Sequence, residues 1–265
     1  MRESSRFPKR PLAPAAVAAA ATALAVILAA FCLFGGAAGQ ASPRDEEAFT
    51  RKRMIMVDEQ VAARGVRDPD VLKALRAVPR HLFVPPEYRD EAYGDYPLPI
   101  GEGQTISQPY IVGLMTQCLG LGKGDRVLEV GTGSGYQAAV LARLAGAVYS
   151  IEINEKLSRR AAGTLKGLGI VNVSLRSGDG FFGWPEAAPF DAIIVTCATE
   201  RVPPSLLDQL AEGGRLVLPL GDSRSFQTLT LIVKKNGKLV VRDILDVRFV
   251  PMTGGRERNE RQKHG

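Results

Sequence analysis

Arg126-Val127-Leu128-Glu129-Val130-Gly131-Thr132-Gly133-Ser134-Gly135-Tyr136 is the stretch that decides the fold. Arg126–Val130 reads as a strand, and Tyr136–Leu144 reads as a helix. Between them three glycines alternate with small polar residues, a composition that allows a tight turn and close approach of a ligand to the backbone at a helix N-terminus. A dinucleotide fingerprint, G-x-G-x-x-G, would put its third glycine at position 136, which is Tyr136. The spacing is G-x-G-x-G instead, with an acid, Glu129, two residues before the first glycine.

Downstream, the apolar pattern alternates between strand and helix. Strands are expected at Ala147–Ile153, Val171–Ser177, Phe190–Cys197 and Gly214–Leu220, with helices at Glu155–Leu168 and Pro203–Ala211. The run Phe190–Cys197 is continuously apolar, as a strand covered on both faces should be. Two further strands, near Thr228–Lys234 and Leu239–Val250, flank an Asn236-Gly237 turn and read as a hairpin. The fold class is therefore α/β, with a doubly wound, mostly parallel sheet and an antiparallel C-terminal edge hairpin. Upstream, Met54, Val57, Val61 and Ala62, then Val71, Leu72 and Leu75, recur at helical spacing, with Asp68-Pro69 as a helix start. Residues 79–110, rich in Pro, Gly and Tyr, read as a long irregular segment, and such segments are usually functional.

Composition narrows the chemistry. The chain has 265 residues, 45% hydrophobic and 23% charged, enough for a substantial core. Its net charge of +6 is carried by the termini, because residues 54–255 hold 22 basic and 22 acidic side chains. A neutral body gives no support for a nucleic-acid partner. Three cysteines, none in a C-x-x-C pair, and two histidines argue against both a disulfide framework and a metal site. Cys118 and Cys197 read as inert core thiols, His81 as a structural hydrogen-bonder and Trp184 as a packing residue.

The first 41 residues form a separate region. Arg2, Arg6, Lys9 and Arg10 precede an uncharged stretch from Pro11 to Pro43, whose centre, Ala15–Phe34, matches the roughly 20 residues that span a bilayer. An uncleaved anchor, a cleaved signal peptide and a true start at Met54 or Met56 all fit this pattern, and membrane contact is expected through residues 12–38. Residues 42–53 are expected to be a charged linker, 54–255 the folded body, split into 54–120 and 121–255, and 256–265 a polar tail.

Glu129 and the glycine turn, Glu152 at the end of the next strand and Gly178-Asp179-Gly180 after the third resemble the class I S-adenosylmethionine-dependent methyltransferases. The segments Arg80–Pro85, Tyr93–Ile100 and above all Gln104-Thr105-Ile106-Ser107-Gln108-Pro109 narrow the resemblance to the protein-L-isoaspartate O-methyltransferases. It extends through Phe190–Val195 to the closing Arg248–Gly254, about residues 54–254. The resemblance implies a seven-stranded Rossmann-like sheet and S-adenosyl-L-methionine as methyl donor. It also implies transfer to the α-carboxylate of L-isoaspartyl residues in damaged proteins and peptides, followed by unaided closure to a succinimide.

Carried onto this sequence, it makes Ser107 the active-site residue. It makes Glu129, Gly131, Gly133, Gly135, Glu152, Asp179 and Gly180 the cofactor-binding set, and Thr105, Gln108 and Val250 the acceptor-side neighbours. Ser107 is expected to orient the acceptor carboxylate, with capping of the helix at Pro109 as a second reading of the same residue. A methyltransferase with another acceptor and a non-catalytic cofactor binder stay open on the residues alone. A monomer is expected. The need for the cofactor favours a cytoplasmic active domain, although the basic N-terminus would send a translocated body across the membrane, with periplasmic exposure as the alternative.

Overall fold

The computed structural model describes residues 43–222 and 225–255. The signal-like segment 1–41 and the polar tail 256–265 lie outside the described residues, and among the described residues no helix is long and apolar enough to cross a membrane. The described residues from Glu46 onward form one compact unit.

Seven strands build the main sheet: β3 (Arg126–Val130), β4 (Ala147–Glu152), β5 (Val173–Ser177), β6 (Phe190–Val195), β7 (Leu210–Leu220), β8 (Gln227–Lys235) and β9 (Lys238–Val247). Their order is β5-β4-β3-β6-β7-β8-β9, parallel from β5 to β7 and antiparallel from β7 to β9. A separate two-stranded hairpin, β1 (Leu98–Gly101) with β2 (Gln104–Ile106), precedes it. The helices are α1 (Pro43–Ile55), α2 (Pro69–Ala77), α3 (Pro109–Leu119), α4 (Tyr136–Ala142), α5 (Glu155–Gly167) and α6 (Pro204–Asp208).

The central strands are apolar because both faces of the sheet are covered. Val127, Leu128, Ala192, Ile193, Ile194 and Val195 are all buried. One core layer includes Val127, Val148 and Ile194 with Ile111 and Met115 of α3, and the other includes Leu128, Ile151 and Ile193 with Leu206 of α6. In the register, Val130 of β3 sits beside Ile151 of β4 on one side and Val195 of β6 on the other. The chain reverses its winding direction at β3, so the crevice beyond the carboxyl ends of β3, β4 and β6 is the place where an open α/β sheet takes a ligand.

The structure departs from the sequence expectations in three places. Residues 42–53, expected as a linker, instead contribute most of helix α1. Its single aromatic, Phe49, stacks on the His81 ring at 4.1 Å, and Arg53 donates from Nε to the Arg76 carbonyl at 2.7 Å. An apolar period was absent because a stacked ring and a guanidinium dock the helix, with no apolar stripe. Segment 79–110 is less irregular than expected. It holds two 3-10 turns, Arg80–Phe83 and Pro86–Glu91, and the β1–β2 hairpin, whose turn has Glu102 at φ 54° and Gly103 at φ 70°. Finally, α6 stops at Asp208 and β7 begins at Leu210. The Phe190 N–H donates to the Gln209 carbonyl at 2.9 Å, which pulls the chain into the sheet early, and Gly213 at φ 80° lies within the register shift that follows.

The capping prediction at Asp68 is met: its carboxylate accepts from the N–H groups of Asp70 and Val71, with Pro69 as the first helical residue.

Candidate active site

The glycine turn is the floor of the site. Gly131 has φ 97°, and its N–H donates to the Ile151 carbonyl at 2.8 Å. A Cβ at this position would collide with Thr196 Oγ1. Gly133, at φ 53°, donates its N–H to Glu152 Oε2 at 2.8 Å, while Glu152 Oε1 accepts from the Asn154 N–H at 2.9 Å. The end of β4 is thereby tied to the turn after β3. Gly180 begins a 3-10 turn after β5, and a Cβ there would collide with the Val130 side chain. Asp179 caps that turn with Oδ1 on the Phe181 N–H, and its Oδ2 accepts from the Gly255 N–H at 2.8 Å.

These groups border a cleft of about 280 Å³ at the carboxyl edge of the sheet, closed on one side by the strap Val250–Gly254. The strap is pinned where the Ala198 N–H donates to the Val250 carbonyl (2.8 Å) and the Met252 N–H to the Ala198 carbonyl (2.7 Å). Gly131, Gly133, Glu152, Asp179 and Gly180, read from the sequence as one cofactor-binding set, do line one cleft. The cleft has three carboxylates, Glu102, Glu152 and Asp179, and a backbone cradle kept free of Cβ atoms, a set of groups suited to an adenosine bearing a positively charged group.

Glu129 and Gly135 are placed elsewhere. Glu129 is fully buried behind the turn, where its Oε2 accepts from Ser150 Oγ at 2.5 Å, and that hydroxyl lies 2.6 Å from Thr132 Oγ1. Burial, helped by the Glu152 charge and opposed by the Ser150 hydrogen bond, pushes its carboxyl up to about 8. The side chain is a buried strut under the turn and does not line the cleft. Gly135, at φ 86°, is the N-cap of α4, and a Cβ there would press on Ala161 of α5 at 3.2 Å, so its role is close packing of helix on helix.

A second cavity, about 530 Å³, opens beside the first and is bordered by Ser107, Thr105, Gln108, Tyr110, Phe226 and Val250 among others. A small space of about 40 Å³ between them is bordered by Thr105, Ser107, Gly133 and Thr196. Thr105 and Thr196 border all three, and Val250 borders the two large ones. The expected acceptor-side residues Thr105, Ser107, Gln108 and Val250 therefore come together. Ser107 does not cap the following helix, because Gln108 is its N-cap and no side chain caps it. Gln108 instead donates from Nε2 to the Asp95 carbonyl at 2.9 Å, fixing the segment.

Thr196 was missed in the sequence. It is the first polar residue after the apolar run of β6, the same position in its strand that drew attention to Glu152 in β4. Its Oγ1 donates to the Gly131 carbonyl at 2.6 Å, locking β6 to the turn. Cys197, expected in the core, borders the cofactor cleft, where burial and the nearby Glu152 and Asp179 charges push its thiol up to about 12. His81 is buried with Nδ1 2.8 Å from Tyr93 Oη, and burial holds its pKa below the usual imidazole value. It does not border either large cavity, so among the described residues no histidine stands beside Ser107 as a base. Among the described residues no group of His, Cys, Asp and Glu is arranged to hold a metal ion.

Comparison with known proteins follows this geometry closely. Residues 51–257 match the family model for protein-L-isoaspartate(D-aspartate) O-methyltransferase. The chain is 58% identical over 215 residues to the protein-L-isoaspartate O-methyltransferase of Opitutus terrae, covering 81% of this chain and 92% of that one. It is 56% identical over 210 residues to a second such protein from Shewanella sediminis, covering 79% and 86%. A solved protein-L-isoaspartate O-methyltransferase superposes with a TM-score of 0.71 at 34% identity, over 80% of this chain and 69% of that one. A Plasmodium falciparum structure assigned to the beta-aspartate methyltransferases, in complex with S-adenosyl-L-homocysteine, gives 0.67 at 27% identity, over 76% and 98%.

Proposed function

The chain belongs to the protein-L-isoaspartate(D-aspartate) O-methyltransferase family, and from that premise we infer how its own residues carry out the transfer. The enzyme moves a methyl group from S-adenosyl-L-methionine to the α-carboxylate of L-isoaspartyl residues in damaged proteins and peptides, which opens their repair through a succinimide.

The cofactor supplies a methyl group already activated on a sulfonium. Glu152 and Asp179 face the cleft with carboxylates suited to accept from hydroxyl and amino groups, and Gly131, Gly133 and Gly180 keep the backbone within reach. The turn is held in shape from below by Glu129 and Ser150 and from the side by Thr196. The acceptor is a carboxylate with a pKa near 4, ionised at neutral pH, so no side chain has to remove a proton. What the protein must supply is orientation and exclusion of water, an effect worth up to roughly 7–11 kcal/mol.

Ser107 is the orienting donor in this reading. Its hydroxyl donates to one acceptor oxygen and leaves the other directed at the methyl group, while Thr105 and Val250 limit the space at the junction and Gln108 holds the segment. The observation that carries this assignment is the shared border: Thr105 and Thr196 line both the cofactor cleft and the acceptor cavity, with Ser107 on the acceptor side. The cofactor requirement also supports a catalytic body in the cytoplasm, whatever residues 1–41 do.

The test uses the purified chain, methyl-labelled S-adenosylmethionine and two peptides that differ only in aspartate or isoaspartate. Base-labile label should appear on the isoaspartyl peptide alone. Ser107→Ala should lower kcat by about tenfold or more, the value of one charge-assisted hydrogen bond, with S-adenosylhomocysteine affinity retained. Equal loss of both would remove Ser107 from the role.

A further inference from the structure

Arg80 is fully buried, and among the described residues it has no carboxylate partner. An isolated buried cation is costly, because desolvation penalises the charge and nothing opposite compensates it. Burial lowers its pKa to about 10, which still leaves it charged at neutral pH. The contacts that Arg80 does make are specific. Nε donates to the Ala92 carbonyl at 2.7 Å, Nη2 donates to the Ser107 carbonyl at 2.7 Å, and the guanidinium lies 4.9 Å from the centroid of the Tyr136 ring. Tyr136 is the first residue of α4, directly after the glycine turn. One planar group therefore joins the start of the 79–110 segment, its middle, the active-site serine and the cofactor turn.

We propose that Arg80 is a positioning residue for the acceptor: its buried guanidinium fixes Ser107 through the main chain and so sets the direction from which the serine hydroxyl meets the isoaspartyl carboxylate. This deepens the reading of Ser107 given above and rests on it. Arg80 acts through Ser107 and not as a charge on the cavity wall, where the cations are Arg64, paired with Asp95 at 2.7 Å and stacked on the Tyr110 ring at 3.7 Å, and Arg248, 5.9 Å from the centroid of the Phe226 ring. Lysine cannot substitute fully, since a single ammonium does not span two carbonyls in a fixed plane.

The experiment compares Arg80→Lys, Arg80→Gln and Ser107→Ala in the full chain, measuring kcat and KM for the isoaspartyl peptide, S-adenosylhomocysteine affinity and the thermal midpoint. Arg80→Gln should lower kcat/KM by about tenfold or more, with cofactor affinity within about twofold of wild type. Arg80→Lys, which keeps the charge but not the fork, should recover kcat only in part. Wild-type kcat/KM in both variants would overturn the proposal, and so would a parallel loss of cofactor affinity, activity and thermal midpoint, the mark of a purely structural role. Arg80 variants of wild-type activity beside an impaired Ser107→Ala would sink the proposal and spare the serine assignment, whereas full activity in Ser107→Ala would remove the serine assignment and this proposal with it.

Should the variants fail to fold, 15N-arginine spectra of the wild-type protein decide. The slowly exchanging guanidinium signal of Arg80 should shift with the isoaspartyl peptide and stay in place with the aspartyl peptide. No shift with either, or the same shift with both, refutes the proposal.

Discussion

The carboxylate of Glu152 and the backbone N–H of Gly133 are joined by a hydrogen bond of 2.8 Å that crosses from the end of one parallel strand to the turn after its neighbour. The same carboxylate borders the cofactor cleft, so one side chain both shapes the turn and presents an acceptor to the ligand. Glu152→Gln keeps the size and one carbonyl oxygen but removes the charge. It should weaken S-adenosylhomocysteine binding by about tenfold to a hundredfold, the range for a hydrogen bond to a charged group. kcat at saturating cofactor should change little. Calorimetric titration checks this, and unchanged affinity would take Glu152 out of the binding set.

Gly131 and Thr196 make a second coupled pair. Gly131→Ala must hold an L residue at φ 97° and displace Thr196 Oγ1, so both backbone strain and collision oppose it. Cofactor binding should be lost while the sheet still folds, at a stability cost of about 1–3 kcal/mol. Thr196→Val makes room for no new atom but removes the hydroxyl that fixes the Gly131 carbonyl. It should weaken cofactor binding several-fold, about 1 kcal/mol. Denaturant unfolding and cofactor titration of the two variants separate these effects.

Glu129 gives a pH dependence with a definite sign. Its folded pKa of about 8 lies above the ordinary value of 4.5, so the folded state retains a proton that the unfolded chain has lost. The carboxyl is neutral in both states below pH 4.5, and its contribution to stability then falls steadily as pH rises from about 4.5 to about 8. Glu129→Gln, neutral throughout, should flatten this decline. Denaturant midpoints at a series of pH values provide the comparison, and identical slopes in the two proteins would show that Glu129 ionises normally in the fold.

The docking of α1 predicts a limit to truncation. Phe49 stacks on His81, and Arg53 binds the Arg76 carbonyl and reaches Tyr93 Oη at 3.3 Å. A protein begun at Met54 lacks all three contacts and should be less stable by about 1–3 kcal/mol than one begun at Ser42. Phe49→Ala in the full chain should account for about 1 kcal/mol of that. Equal unfolding midpoints for the two truncations would show that α1 contributes nothing to the body.

The amino-acid sequence by itself determined the parallel sheet, the antiparallel hairpin and the strand ends that carry Gly131, Glu152 and Asp179. These follow from local signals: apolar runs set strands, and glycine and acidic residues at their carboxyl ends mark where a ligand must meet the backbone. Through the resemblance carried by the Gln104–Pro109 segment it also pointed to Ser107, which borders the second cavity. Only the tertiary structure decided that Glu129 and Gly135 stand behind the cleft, since a one-dimensional motif does not say which side of a turn each residue faces. Only the fold assigned Thr196 to both cavities, docked α1 by a single ring and a guanidinium, and brought Arg80 across 27 residues to the Ser107 carbonyl. Each of those depends on contacts distant in sequence, and no periodicity or spacing within one segment encodes the approach of another.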